Sequence, residues 1–474
     1  MFRSKIKPIN IRCPTIMTQK QTTSAALSVS EKRTISGLSL IFALRMLGLF
    51  MILPVFSLSA QTYTHSTPLL IGLAIGAYGL TQAVLQIPFG MLSDRIGRKK
   101  VIFVGLILFA LGSVLAAMAE SIYTVIAGRL LQGSGAIAAV IMALTADLTR
   151  DQHRTKAMAA IGISIGLSFS IALASGAALE NWLGLAGIFW ATAVMAILGM
   201  IVLAWWVPNP YRLKIHQEMQ PARAQLGSVL SNAPMMRVIL SILFLHLLLT
   251  LSFFALPIAL QDYAGIAKSD LAQTYLPVLL LAFVAMVPFI LLAEKGRQMK
   301  PVMLGAIAVL ALAQIGWATQ PQSLILLLVC LWLFFTAFNV LEASLPSVMS
   351  KLSPLQSKGT AMGVYASAQF IGAFLGGVLG GLIYSYADIQ GVFLLALSLC
   401  VVWLMMMWRM RPLVHYSHRI VPLPGLSATT AESYQHRLSA ISGVVETVLV
   451  VEDQLAYVKF VADEIELNEL ESIR

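Results

Sequence analysis

Four ionisable side chains stand inside long apolar runs of this sequence: Arg45, Arg129, His246 and Glu342. A charge placed in hydrocarbon is costly, so such a residue is kept for a partner or for a function. A carboxyl and an imidazole in that setting can exchange protons near neutral pH. His246 and Glu342 are therefore the leading candidates for a proton site. Bland readings stay open beside it: an arginine bonded to carbonyls, a glutamate in a structural salt bridge, a histidine in a helix-to-helix hydrogen bond.

A second set of residues is polar but uncharged. Tyr78, Gln82 and Gln86 are four apart and share one helix face, as do Tyr365 and Gln369; Asn339 and Glu342, three apart, also share one. Together with Gln132 and the nearby aromatics Phe253, Phe254 and Phe370, they are expected to line a cavity for a small amphipathic compound. Ordinary packing is the alternative. The third set is a surface cluster, with one acid and four cations in the seven residues from Asp94 to Lys100. It separates two apolar runs and is expected at a membrane surface.

Other chemistries find no support. Cys13, Cys330 and Cys400 are far apart and make neither a disulfide frame nor a metal set. There is no nucleophile constellation and no Gly-x4-Gly-Lys-Ser/Thr loop for ATP. We therefore expect no enzyme, no cofactor and no metal. The net charge of +11 falls between apolar runs rather than on one basic domain, so nucleic acid is not the expected partner.

The elements that position these residues are membrane spans. Of the 474 residues, 58% are hydrophobic and 11% charged, against about 25% charged in soluble domains, and the mean hydropathy is +0.83. Twelve runs are long enough to cross a bilayer: 36–60, 68–92, 100–119, 122–146, 156–179, 184–207, 237–260, 271–292, 301–319, 322–349, 359–385 and 389–411. They fall into two sets of six, 36–207 and 237–411, joined by a polar linker at 208–236. A basic arm, 1–35, precedes them, and a polar tail, 412–474, follows. No apolar stretch follows a short basic start, so the arm is not read as a cleaved leader.

One set of loops carries Arg95, Arg98, Lys99, Lys100, Arg150, Arg154, Lys156, Arg212, Lys214, Arg223, Lys295, Arg297, Lys300, Lys351 and Lys358; the other carries Lys268 alone. The bias of cations toward the cytoplasm places the first set and both termini inside. Runs three, six and twelve hold almost nothing more polar than Ser, Thr or Trp, and run nine only Gln314. Every third run is therefore expected to face lipid. Leu53-Pro54-Val55 before Gln61-Thr62-Tyr63, and Leu256-Pro257-Ile258 before Gln261-Asp262-Tyr263, read as a faint repeat of the two sets.

Gly90-x-Leu92-Ser93-Asp94-Arg95-x-Gly97-Arg98-Lys99 resembles the signature loop between helices two and three of the major facilitator superfamily. Arg129-Leu130-Leu131-Gln132-Gly133 is similar to the fourth-helix motif of its drug/proton antiporters. The resemblance covers 36–411 and implies an all-α transmembrane fold of twelve helices in two pseudo-symmetric halves. It further implies that Arg129 modulates a nearby acid, and Arg45 is grouped with it as an intramembrane cation of the proton-coupling set. It makes Asp94 face the start of helix eleven near Lys358 and pairs Arg98 with Asp94 and Asp147. Arg95 and Lys99 would hold surface positions. The cluster of Gly90, Asp94, Arg95, Gly97, Arg98, Lys99 and Asp147 is then a latch holding the two halves in the outward-open state. The fifth helix departs from the antiporter pattern, with Ser175-Gly176-Ala177 where a Gly-Pro is usual.

In the tail, Arg419–Leu423, Val444–Val451 and Leu455–Val461 read as strands, and Thr429–Ile441 and Asn468–Arg474 as helices. That order resembles a small α+β ferredoxin-like domain. With the segment Phe338–Ala343 it resembles the YajR-type branch, which carries a cytoplasmic C-terminal domain. The tail contains no cysteine, so soft-metal binding is not expected. Self-contact, or contact with a regulator, is.

The resulting expectation is an inner-membrane secondary transporter, exporting small amphipathic organic compounds against protons by alternating access. An importer or uniporter of the same fold, and a membrane sensor signalling through the tail, are the rivals.

Overall fold

The protein is described by a computed structural model covering residues 27–209, 222–294, 296–319, 323–354, 358–410, 416–423, 426–427, 430–451 and 454–461. Most of the basic arm, the centre of the linker and the final tail helix lie outside these residues.

Among the described residues, eleven helices are long and apolar enough to cross a membrane, and the last, Gly359–Trp408, has 50 residues, room for two crossings. The spans are Val29–Phe50, Pro68–Ile96, Arg98–Ala117, a fourth in two pieces (Ile122–Ser134 and Ala138–Leu148), the two arms of Asp151–Trp205, then Ala233–Ala264, Leu271–Glu294, Met299–Ala318, Leu324–Leu352 and the two arms of Lys358–Trp408. They are numbered one to twelve below.

Local chemistry places the ends. Thr67 caps span two through Leu70 N–H, with Pro68 in the first turn, where it lacks only a donor the helix would leave unused. Asn232, with Pro234 following, does the same for span seven. Spans five and six part at Gly184, whose φ of 66° favours glycine. Spans eleven and twelve part at Ala387 and Asp388, the latter at φ 52°. Span one ends in turns over 51–55, where Pro54 has no N–H to continue the ladder. Its expected counterpart Pro257 sits inside an unbroken span seven, so the repeated proline does not produce a repeated break. A different device does repeat. Lys99, opening span three, donates to Val207 O at 2.8 Å just past span six. Lys300, opening span nine, donates to Trp408 O at 3.1 Å and Met410 O at 2.5 Å at the end of span twelve. Each ammonium meets carbonyls that a helix end leaves unpaired.

Spans three and nine do not only face outward. Ser113 of span three accepts from Gln132 Nε2 at 2.7 Å, and Gln314 of span nine donates to Ser252 at 3.0 Å. Span eight, expected among the lining helices, exposes Leu276, Leu280, Leu281, Val284 and Val287. Spans three, six, nine and twelve do expose apolar side chains, such as Phe103, Trp190, Leu312 and Val401, but exposure is not confined to every third span.

In the tail, β1 (Tyr416–Pro422), the helix Ala431–Ser439, β2 (Val444–Val450) and β3 (Leu455–Val461) form an antiparallel sheet of order β1-β3-β2 with a helix on one face. Val421, Leu438, Ala456, Val458 and Phe460 fill its core. A βαββ path with β3 between β1 and β2 is the opening of the split ferredoxin-like arrangement, as the residues suggested.

Candidate functional site

Span seven contributes His246, span ten Glu342 and span eleven Gln369, and the three meet. Glu342 Oε2 lies 3.8 Å from His246 Nε2. Gln369 Nε2 lies 2.8 Å from His246 Nε2 and 3.4 Å from Glu342 Oε1. An amide N–H donates only to a ring nitrogen that carries no proton, so this arrangement suits a neutral imidazole. His246 is 5% exposed, while the Glu342 side chain is 29% exposed. The imidazole is thus walled in, while the Glu342 side chain is partly exposed, with its Oε2 buried and without a hydrogen-bond partner among the described residues. Tyr365, one helical turn before Gln369, is buried with its hydroxyl unbonded. Asn339 lies one turn before Glu342, half-buried.

The first half holds a second cluster. Arg45 of span one donates to Tyr78 OH of span two at 2.8 Å, and its Cζ lies 5.9 Å from the Tyr78 ring centre. Arg129 of span four lies over the same ring at 5.1 Å and donates to Gln132 Oε1 at 2.8 Å. One electron-rich ring between two guanidiniums eases the burial of both. Gln82 donates to Gly133 O at 3.0 Å, bracing the break in span four.

Several expected cavity residues therefore lie elsewhere. Tyr78, Gln82, Gln86 and Gln132 are buried rather than on an open wall. Tyr78 sits between Arg45, Arg129 and Phe370, and Gln82 and Gln132 bond to groups of spans three and four. Gln86 Oε1 is without a hydrogen-bond partner among the described residues. Phe253 packs on Tyr275 and Phe335 inside the second half. The physical reason is that a polar face inside hydrocarbon can satisfy itself against another helix as well as against water. Tyr78 and Phe370, noted from sequence, do bridge the halves; a second set of bridging aromatics was not singled out. Phe169 of span five meets Phe335 and Phe338 of span ten at 5.9 and 5.6 Å between ring centres. Phe338 in turn sits 5.9 Å from the His246 ring. No spacing signal marks such cross-half pairs.

The clusters are joined by span eleven. Gln369 touches His246, and its neighbour Phe370 packs against Tyr78 at 6.2 Å between ring centres. Spans two and eleven touch closely because their glycines allow it: Gly72 backs onto the backbone of Gly377, and Gly76 and Gly79 onto that of Phe374 and Phe370. Toward the end bearing the basic loops, Gly90, Gly359 and Gly363 meet no neighbouring atoms. The halves are thus closed at the end away from the basic loops and parted near them.

At the basic end, Arg98 NH1 lies 2.8 Å from Asp94, and Arg98 Nε bonds Asp147. Arg98 also donates to Ser93 Oγ at 3.0 Å. Gly97, at φ 103°, makes the turn that allows this. Arg95 is exposed, but Lys99 holds the end of span six rather than a free surface position. Each of these described contacts lies within the first half, so in this arrangement the motif staples spans two, three, four and six to one another. The second half carries a pair of opposite sense, with Lys351 and Ser347 of span ten each 2.6 Å from Glu294 at the end of span eight.

A sequence-family model described as Major Facilitator Superfamily matches residues 38–377 and 300–432. The chain is 44% identical to the "Inner membrane transport protein YajR" of Escherichia coli (strain K12), over 91% of this chain and 95% of that protein. It is 25% identical to the "Multidrug resistance protein MdtH" of Aeromonas salmonicida (strain A449), over 73% and 86%. The solved structure of a D-xylose-proton symporter superposes with a TM-score of 0.68 at 14% identity, covering 81% of this chain and 98% of the other, a likeness of fold. With two sets of membrane spans, the Gly90–Lys99 loop and these matches in hand, the chain belongs to the major facilitator superfamily, as a multi-pass membrane transporter.

Proposed function

We propose that the protein is a proton-coupled exporter of small amphipathic organic compounds, working by alternating access in the inner membrane, with the basic loops, both termini and the tail in the cytoplasm. The observation that carries this is the His246–Glu342–Gln369 cluster. It places a protonatable carboxyl at mid-span, and Phe370 ties it to the Tyr78 ring between Arg45 and Arg129. A proton gained or lost at Glu342 changes what Gln369 bonds, and span eleven passes that change to the contact between the halves. The aromatic layer of Phe169, Phe335 and Phe338 suits an apolar cargo, and the likeness to a relative named for multidrug resistance supports export. The Asp94–Arg98–Asp147 staple is the element we assign to holding the outward-open state, when the parted basic ends close on one another. We also read 36–207, 237–411 and 412–474 as the three folding units.

The sensor reading has one observation in its favour: Lys459 of β3, 4% exposed, donates to Ser353 O at 3.1 Å at the end of span ten. Proteoliposomes with an imposed pH gradient separate the readings. Gradient-dependent movement of ethidium, deoxycholate or corticosterone, outward with respect to the basic loops, is expected. Absence of gradient-dependent movement for all three probes would refute the exporter as stated.

A further inference from the structure

The halves also meet at the end away from the basic loops, and there the contact is electrostatic. Glu180 stands four residues before the break at Gly184, near the end of span five, and is 7% exposed. A carboxylate this buried needs donors and a counter-charge. Ser59 Oγ donates to it at 2.9 Å, from the short helix Phe56–Ser59 that follows span one. The counter-charge comes from the other half: the Lys268 ammonium pairs with Glu180 Oε1 from the turn Lys268–Asp270 between spans seven and eight. Beside it, Asn181 Nδ2 donates to Ser269 O at 2.8 Å. Lys268 is also the one cation among the loops at that end. Adjacent residues of one half thus bond adjacent residues of the other, at the end where the spans are closed.

We propose that Glu180 and Lys268 form a clasp that holds this end shut, with Asn181 and Ser269 setting its alignment. Opening this end separates the pair and returns the Glu180 carboxylate to water. The clasp is the opposite-end counterpart of the Arg98 staple, and it holds whatever cargo or driving ion the transporter uses. Removing only Lys268 leaves a buried carboxylate without its counter-charge, which is worse than removing both partners.

The test needs no substrate. Asn181→Cys and Ser269→Cys are introduced together, with Cys13, Cys330 and Cys400 replaced by serine or alanine, and the rate of disulfide cross-linking is measured in membrane vesicles. Lys268→Met is expected to slow cross-linking about fivefold, the scale for one partly exposed pair. The exchanged pair Glu180→Lys with Lys268→Glu is expected to recover most of the rate. If Lys268→Met does not accumulate, Lys268→Gln is judged by the same criteria. A single-variant rate within about twofold of the parent, or an exchanged pair no faster than the single variant, overturns the clasp. Because no gradient or cargo enters this assay, its failure is distinct from failure of the exporter reading.

Discussion

Glu342→Gln separates a proton site from a structural ion pair. Were His246 and Glu342 both charged, their 3.8 Å separation would correspond to about 4 kcal/mol at an effective dielectric of about 20. Breaking such a pair by removing one partner would cost about 3–5 kcal/mol of stability, because an unpaired charge stays buried. The geometry argues otherwise. Gln369 Nε2 points at His246 Nε2 from 2.8 Å, which suits an uncharged ring, and glutamine keeps the size and the carbonyl acceptor of a protonated glutamate. The stability cost should then be about 1 kcal/mol or less, the scale of one neutral hydrogen bond. Proton coupling should be lost, because an amide does not titrate. The assay is paired: thermal unfolding in detergent, and pH-gradient-driven flux in proteoliposomes carrying an interior pH dye. Near-parental stability with gradient-driven flux down about tenfold or more is expected, the middle of the usual range for one proton-transferring group being higher still. A large loss of stability with flux per folded protein intact would refute the reasoning, as would a pH profile identical to the parent.

Asp94→Asn removes one of the two carboxylates on Arg98. The pairs are partly exposed, so about 0.5–1 kcal/mol is expected from each, read as a change in the cross-linking rate of the Asn181→Cys, Ser269→Cys pair; a wild-type transport rate with unchanged cross-linking would remove the motif from the switching mechanism. Gly72→Leu sets a side chain against the backbone of span eleven, so about 1–3 kcal/mol of overpacking is expected, measured as lowered thermal stability. Gly90→Leu, where no neighbour lies close, serves as the control and should be milder. Lys99→Met and Lys300→Met each remove a cation from a helix end. Each should cost about 0.3–1 kcal/mol in thermal unfolding, and similar losses would support the equivalence of the two halves. Lys459→Met should free the tail from span ten, seen as faster proteolysis after Trp408 with the spans intact.

The membrane class, the division into two sets of spans, the family and the tail's strand order were legible in the residues. Each depends on patterns local in the chain: apolar runs long enough to cross a bilayer, cations between them, a turn motif built on Gly97, alternation of β-branched residues. Mid-span charges were legible for the same reason, since Arg45, Arg129, His246 and Glu342 interrupt apolar text. Their partners were not. Arg45 and Tyr78 are 33 residues apart, His246 and Gln369 123, and helix periodicity orders a face without saying what meets it. So Gln82 and Gln132 read as cavity wall but brace the broken fourth span, and Lys99 read as surface but holds the end of span six. The contacts between halves were out of reach for a stronger reason. The Phe169 layer, the glycine seam of spans two and eleven and the Glu180–Lys268 pair exist only when the two sets of helices pack against one another. Lys268 drew notice as a lone cation, yet its counter-charge lies 88 residues back along the chain, and only the packing of one half on the other brings them together.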